Sequence, residues 1–206
     1  MRALLQATCL CGIATLAAAQ GDAVDAVSGT FQPVNTVGET FTGSVSATPG
    51  DGDVVLRLDV EGAPPGMHLA HIHGFASADP EASACPDAAA DTNGDGYVDL
   101  IETREQAGVT MIPFTDAPAG LQIESRNYPI AGEGGRMTYE QTVELAALQD
   151  EVEAAFDTPL ALSQRVVFIH GAPEGTELPD SVQTLEGVPA AVTIPIACAE
   201  LDAVEQ

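Results

Sequence analysis

The spacing of the apolar runs constrains this chain more than any other feature. AVSGTF, TFTGSVSAT, VVLRLDV, GMHLAHIHG, GVTMIPF, MTYEQTVEL, RVVFIHG and AAVTIPIAC are short, alternating or β-branched, and separated by Gly, Pro and Asp. Eight strand-like segments punctuated in this way point to an all-β sandwich or barrel. The sharpest turn is PGDGD at 49–53, which joins two alternating runs into a hairpin. Only LAALQDEVEAAF, 145–156, has the spacing of a short helix, and Asp157 and Pro159 end it. The stretch from 75 to 107 carries no strand pattern, and a connection that long is usually functional or organised by an ion.

The first residues combine Arg2, an apolar run from Ala3 to Ala18, and small residues at Ala17 and Ala19. This is the layout of a secretory signal over 1–19, which would leave one domain over 20–206 in a secreted or periplasmic protein. An uncleaved anchor is the alternative, since the run is nearly long enough to span a bilayer; Thr8-Cys9-Leu10 does not make Cys11 a lipobox cysteine. Removal of the signal leaves Cys85 and Cys198, an even pair that in an exported chain reads as one disulfide, with two free buried thiols as the alternative. Closing a loop of that length is worth on the order of 4 kcal/mol in the chain-entropy model.

There is no lysine, and 31 acidic residues face 6 arginines, for a net charge of -25. Such a surface repels nucleic acid and anionic lipid, so neither is expected as a partner, and no membrane contact is expected beyond the signal. It suits a saline habitat, where screening is strong. Nothing in the pattern specifies an oligomeric state. Gly-rich phosphate loops, nucleophile elbows and CxxC motifs are absent from the sequence, and with no Trp a sugar platform is poorly supported.

Three of the four histidines lie in GMHLAHIHG. On a strand, His71 and His73 point to one face and Ile72 into the core, while His68 has the opposite parity. The remaining histidine, His170, ends the strand-like RVVFIH. Three imidazoles suit copper or zinc and fit calcium or magnesium poorly; the plain alternative is a set of structural histidines without metal.

A second candidate site is DTNGDGYVDLIE, 91–102. Asp91, Asn93 and Asp95 occupy positions 1, 3 and 5 of a twelve-residue EF-hand loop, with Gly96 at 6, the Tyr97 carbonyl at 7, Asp99 at 9 and Glu102 at 12. Its alternative is a solvated acidic turn. VDLIETREQAG can form a short exiting helix that stops at Gly108. A lone loop of this kind in an extracellular module binds calcium at roughly 10⁻⁴ to 10⁻³ M.

PGMHLAHIHGF resembles the PG-x-H-x-x-H-x-H-x-F segment of secreted copper/zinc superoxide dismutases, RVVFIHGAPEG resembles their strand-end histidine segment, and PIACAEL resembles their terminal half-cystine strand. The AHIHG signature is also similar to that of chordin-like (CHRD) domains. The resemblance to the dismutases implies an eight-stranded Greek-key β-barrel, copper ligands at His71, His73 and His170, a supporting role for His68, and a Cys85–Cys198 disulfide. It further implies superoxide dismutation as the candidate activity; a non-enzymatic copper- and calcium-binding or structural CHRD-like module is the other. Two family features have no counterpart. No histidine lies between His73 and His170, so the bridging ligand and the zinc site are missing and zinc is not expected; and LEGVPAAVTIPIAC lacks the arginine that precedes the last half-cystine. The EF-hand-like loop stands where that family keeps its zinc loop, so calcium is expected to order this connection in place of zinc.

Overall fold

The computed structural model describes residues 24–204 apart from Thr36, 38–40, Pro80 and Ser125. The proposed signal over 1–19 therefore lies outside the described residues. Twelve strands are present: β1 (Val27–Thr30), β2 (Gln32–Pro33), β3 (Thr42–Pro49), β4 (Asp53–Glu61), β5 (Gly66–Met67), β6 (Ala70–Gly74), β7 (Val109–Pro113), β8 (Ile130–Ala131), β9 (Met137–Glu144), β10 (Val166–His170), β11 (Pro195–Glu200) and β12 (Asp202–Ala203). The helices are α1 (Arg104–Ala107), α2 (Leu145–Phe156) and α3 (Ala190–Thr193). The fold is all-β and antiparallel. One five-stranded sheet has the order β12-β1-β3-β4-β9, the other β2-β11-β10-β6-β7, and β5 pairs with β8. Neither five-stranded sheet closes on itself by hydrogen bonds, so the hydrogen bonding describes two sheets and not a closed eight-stranded barrel.

Alternation sets the first sheet. In β4, Val54, Leu56, Leu58 and Val60 are buried, while Arg57, Asp59 and Glu61 on the opposite face are exposed. Gly52, with φ 87, makes the tight turn between β3 and β4, whose strands then pair from Pro49↔Val54 to Thr42↔Glu61. The second sheet is different: β6 and β10 are buried along their whole length. Ala70, Ile72, Val167, Ile169, Ala197 and Ala199 of this sheet share one core with the inward residues of β4. Val166, Phe168 and Cys198 face the other way and pack with Ala107, Val34 and Cys85. The 75–108 connection thus covers the outer face of the sheet, which is why these strands read as continuous apolar runs.

Helix α2 matches the sequence expectation to the residue. The Glu144 carboxylate caps it by accepting from the Ala147 N–H at 2.7 Å, and Leu148 and Val152 enter the shared core. Two segments depart from the sequence reading. AAVTIPIAC is not a strand throughout: its first residues form α3, because the Ala-Ala start favours helix and the Ile194 N–H bonds back to the Ala190 carbonyl at 2.9 Å. GMHLAHIHG splits into β5 and β6, since Gly66 at φ 128 turns the chain and the His68 N–H is taken by the Pro129 carbonyl at 3.0 Å.

Cys85 and Cys198 form a disulfide across a sequence separation of 113 residues. It ties the covering connection to the buried strand β11. The backbone of that connection is fixed on either side by Ser83 N–H to Gln164 O, and by Cys85 N–H to the Glu200 carboxylate, both 2.9 Å. Arg165 holds its far end: the fully buried guanidinium donates to the carbonyls of Phe75, Pro159 and Leu160 and to the Thr158 hydroxyl. Replacing both cysteines by alanine is expected to lower the unfolding free energy in urea by about 2–5 kcal/mol; an unchanged midpoint at equal slope would show that the clamp is dispensable.

Candidate metal centre

His71 and His73 lie on β6 with their side chains opposite to Ile72, which enters the core. His170 ends the neighbouring strand β10, at a register shift that follows Ile169. Because Phe168 pairs with His71 and Val166 with His73, the side chain of His170 emerges on the same face. Ring centroids are 6.0 Å apart for His71 and His73, 5.5 Å for His71 and His170, and 5.9 Å for His73 and His170. One ligand nitrogen from each ring lies within 4.8 Å of the others, and all three residues are buried. Phe168 packs its ring 4.9 Å from that of His73.

The hydrogen bonds divide each ring into a used and an unused side. His71 Nε2 is 2.8 Å from the Tyr128 hydroxyl, His73 Nε2 is 3.2 Å from the Thr110 hydroxyl, and His170 Nδ1 is 2.8 Å from the Thr193 carbonyl. The remaining nitrogens, His71 Nδ1, His73 Nδ1 and His170 Nε2, are buried with no partner. A buried unpartnered nitrogen costs free energy, and three at one place is the pattern of a lone-pair set awaiting a cation. The Thr193 carbonyl can only accept, so His170 carries its proton on Nδ1 and presents a lone pair at Nε2. Burial is the main cause that pushes all three rings well below the ordinary imidazole range, with mutual repulsion among the rings adding to it at His71 and His73. His170 is pushed down to about 4 by burial, against the opposing hydrogen bond to Thr193, with His68 lowering it further. The rings are therefore neutral at neutral pH, the state a metal needs.

His68 takes no part in the triangle. Its Nδ1 lies 2.9 Å from the His170 carbonyl and its Nε2 2.7 Å from the Pro64 carbonyl, so both nitrogens are engaged. It lies between β5 and β6, so its position follows from the break in the strand and not from strand parity. Gly171, at φ 114, leaves room for it: a Cβ there would sit 3.0 Å from His68 Nδ1.

The 91–102 loop folds as a chain of side-chain-to-backbone turns. The Asp91 carboxylate accepts from the N–H groups of Gly94, Asp95 and Gly96, Asn93 from Asp95, and Asp95 from Tyr97. Gly94 and Gly96 have φ of 74 and 90, conformations that glycine supplies freely. Asp99 accepts from Ile101 and Glu102, while Glu102 reaches back to the Asp99 N–H and across the loop to Thr92 and Asn93. The loop is anchored by Asn35, which bonds both polar backbone groups of Val98 and the Pro195 carbonyl. On its other side Ser181 donates to Asp95 and Gln183 N–H to Asp99, both at 2.7 Å. The Ser181 hydroxyl is the first cause holding the Asp95 carboxyl below its usual range. Among the described residues, only the histidines form a group of three or more His, Cys, Asp or Glu side chains drawn together as a metal site.

Sequence reasoning missed Tyr128, Thr110 and Thr193. Each belongs to a different segment and only the fold brings it to a histidine; Tyr128 lies in the irregular RNYP stretch, where nothing marks it. In the metal-free protein, NMR titration is expected to place the His71, His73 and His170 midpoints well below the ordinary value of 6.5, with His170 near 4. Since the folded values are depressed, the unfolded chain takes up protons first, and the stability these rings contribute above pH 6.5 is lost as pH falls through that window. Midpoints at or above 6.5 would contradict the buried, neutral triangle.

No protein-family model matches the chain, and no curated protein matches it. Among solved structures, it is similar to the one titled "Crystal Structure Analysis of the clock protein EA4", at 14% identity and a TM-score of 0.43, over 90% of this chain and 99% of that one.

Proposed function

We infer that this is an exported copper-binding protein of the copper/zinc superoxide dismutase type, with His71, His73 and His170 as the copper ligands. The observation that carries the reading is the set of three buried imidazoles, each with one nitrogen that no protein group satisfies. All-nitrogen donor sets favour copper or zinc over calcium or magnesium, and the dismutase-like motifs around these histidines favour copper. Within this reading, the eight longer strands β1, β3, β4, β9, β7, β6, β10 and β11 correspond to the eight strands of the Greek-key barrel, opened into two facing sheets. The disulfide and the absence, among the described residues, of any helix long and apolar enough to cross a membrane are in keeping with an extracellular setting.

Copper would supply one-electron redox chemistry at the triangle. The chain's own groups orient and shield it. The Thr193 carbonyl fixes the His170 tautomer, and the Tyr128 hydroxyl is matched to His71 Nε2 and leaves Nδ1 for the ion. His68 ties the chain before β6 to the end of β10, which sets the spacing of the two ligand-bearing strands. The second reading, a copper- and calcium-binding module of CHRD-like type without turnover, is favoured by what stands beside His71: a tyrosine hydroxyl, where the dismutases place an imidazole shared with zinc. In either reading calcium is the ion of the 91–102 loop, supported by the ligand spacing, by glycines of positive φ at positions 4 and 6, and by the clamps at Asn35, Ser181 and Gln183.

Copper uptake and superoxide removal, measured on the mature protein and a His73→Ala variant, separate the readings. One copper per chain with activity lost in the variant supports the enzyme; one copper without activity supports the binding module; no copper contradicts both. Tyr128→Phe is expected to weaken copper affinity by about 10–100-fold, the usual cost of losing a partner of a metal-bound histidine. For the loop, about 10 mM calcium is expected to add roughly 1.4–2.7 kcal/mol to unfolding. An unchanged thermal midpoint would remove calcium from the account.

A further inference from the structure

The histidine triangle is the floor of a cavity of about 110 Å³ with an apolar wall. Leu69, Leu100, Val109, Ile123 and Leu185 line it, and the last three are surface residues, 41–47% exposed. One formal charge lines the cavity, that of Arg104 in α1. The other described arginines are committed elsewhere: Arg57 to Glu140, Arg126 to Glu124, Arg136 to Asp59, and Arg165 to buried carbonyls and the Thr158 hydroxyl. Arg104 is exposed, and among the described residues its guanidinium has neither a salt bridge nor a hydrogen bond. In a chain of net charge -25, an arginine without a carboxylate partner beside a buried triangle of lone pairs is a local reversal of sign.

We propose that Arg104 and the histidine cavity form a binding site for a small, weakly hydrated, monovalent inorganic anion, with one end directed to the three histidines and the other to the guanidinium. The proposal rests on the histidines holding copper, which turns the cavity floor from an electron-rich into a cationic surface. The apolar wall selects by desolvation. An anion that gives up its water cheaply enters, and one that is strongly hydrated or bulky does not, because nothing on the wall replaces the lost hydrogen bonds. The same wall strengthens the field of the guanidinium by keeping water from between the charges. The sequence expectation that no arginine serves this site considered only the segment before Cys198; Arg104 arrives from the opposite side, two residues after Glu102 of the acidic loop.

The test is azide titration of the copper(II)-loaded protein, followed by the azide-to-copper charge-transfer band, with copper content and the copper EPR spectrum recorded for each variant. Saturable azide binding that inorganic phosphate does not displace is expected. Arg104→Gln should weaken azide about tenfold while leaving copper content unchanged, and Arg104→Lys should recover part of the loss. Arg57→Gln, the same charge change on the other sheet, should leave azide affinity as it is. Equal azide affinity in Arg104→Gln with full copper, or displacement by phosphate at comparable concentration, overturns the anion site alone. Failure of the parent protein to take up copper overturns the copper reading and the anion site with it.

Discussion

A sheet covered on both faces is the constraint on which this structure depends. Strands β6 and β10 send Ala70, Ile72, Val167 and Ile169 into the main core, and their other faces are sealed by the 75–108 connection. Any polar group on that sealed face must find a partner inside the protein or bear the cost of burial. Most do: His68, Asn35 and Arg165 are matched to carbonyls and hydroxyls. The exceptions at the ring triangle are one nitrogen on each of His71, His73 and His170, and that shared deficit is the physical argument for a metal.

The covering connection does more than exclude water. The disulfide joins it to β11, Asn35 joins the acidic loop to the same region, and α1 carries Thr103 and Arg104 to the cavity beside the histidines. Along this segment Asp99 and Glu102 point into the loop's own hydrogen-bond network, whereas Leu100, Thr103 and Arg104 line the cavity. The state of the acidic loop and the shape of the histidine site are therefore set by adjacent residues. The dismutase-like motifs place histidines in the loop where this chain places carboxylates, and the structure puts Tyr128 beside His71.

Much of this was legible in the sequence. The alternation in VVLRLDV, the PGDGD turn and the helix at 145–156 each express a local period or cap, and the structure shows each where the pattern places it. The approach of His170 to His71 and His73 was legible only through the motifs, since nothing local reports the pairing of Phe168 with His71. Less could be read where tertiary contacts override local preference. AAVTIPIAC begins as a helical turn, and His68 sits in a break between two short strands. Tyr128, Thr110 and Arg104 carry no sequence signal because each acquires its role from a neighbour more than thirty positions away.

The central claim is that the buried ring nitrogens, and not the abundant surface carboxylates, are what copper meets. X-ray absorption at the copper edge of the protein loaded with one equivalent reads this directly. The account predicts a shell of three imidazole nitrogens with their outer-ring scattering, reduced in His170→Ala. A light-atom shell lacking imidazole scattering, unchanged in that variant, would assign copper to carboxylates and contradict it.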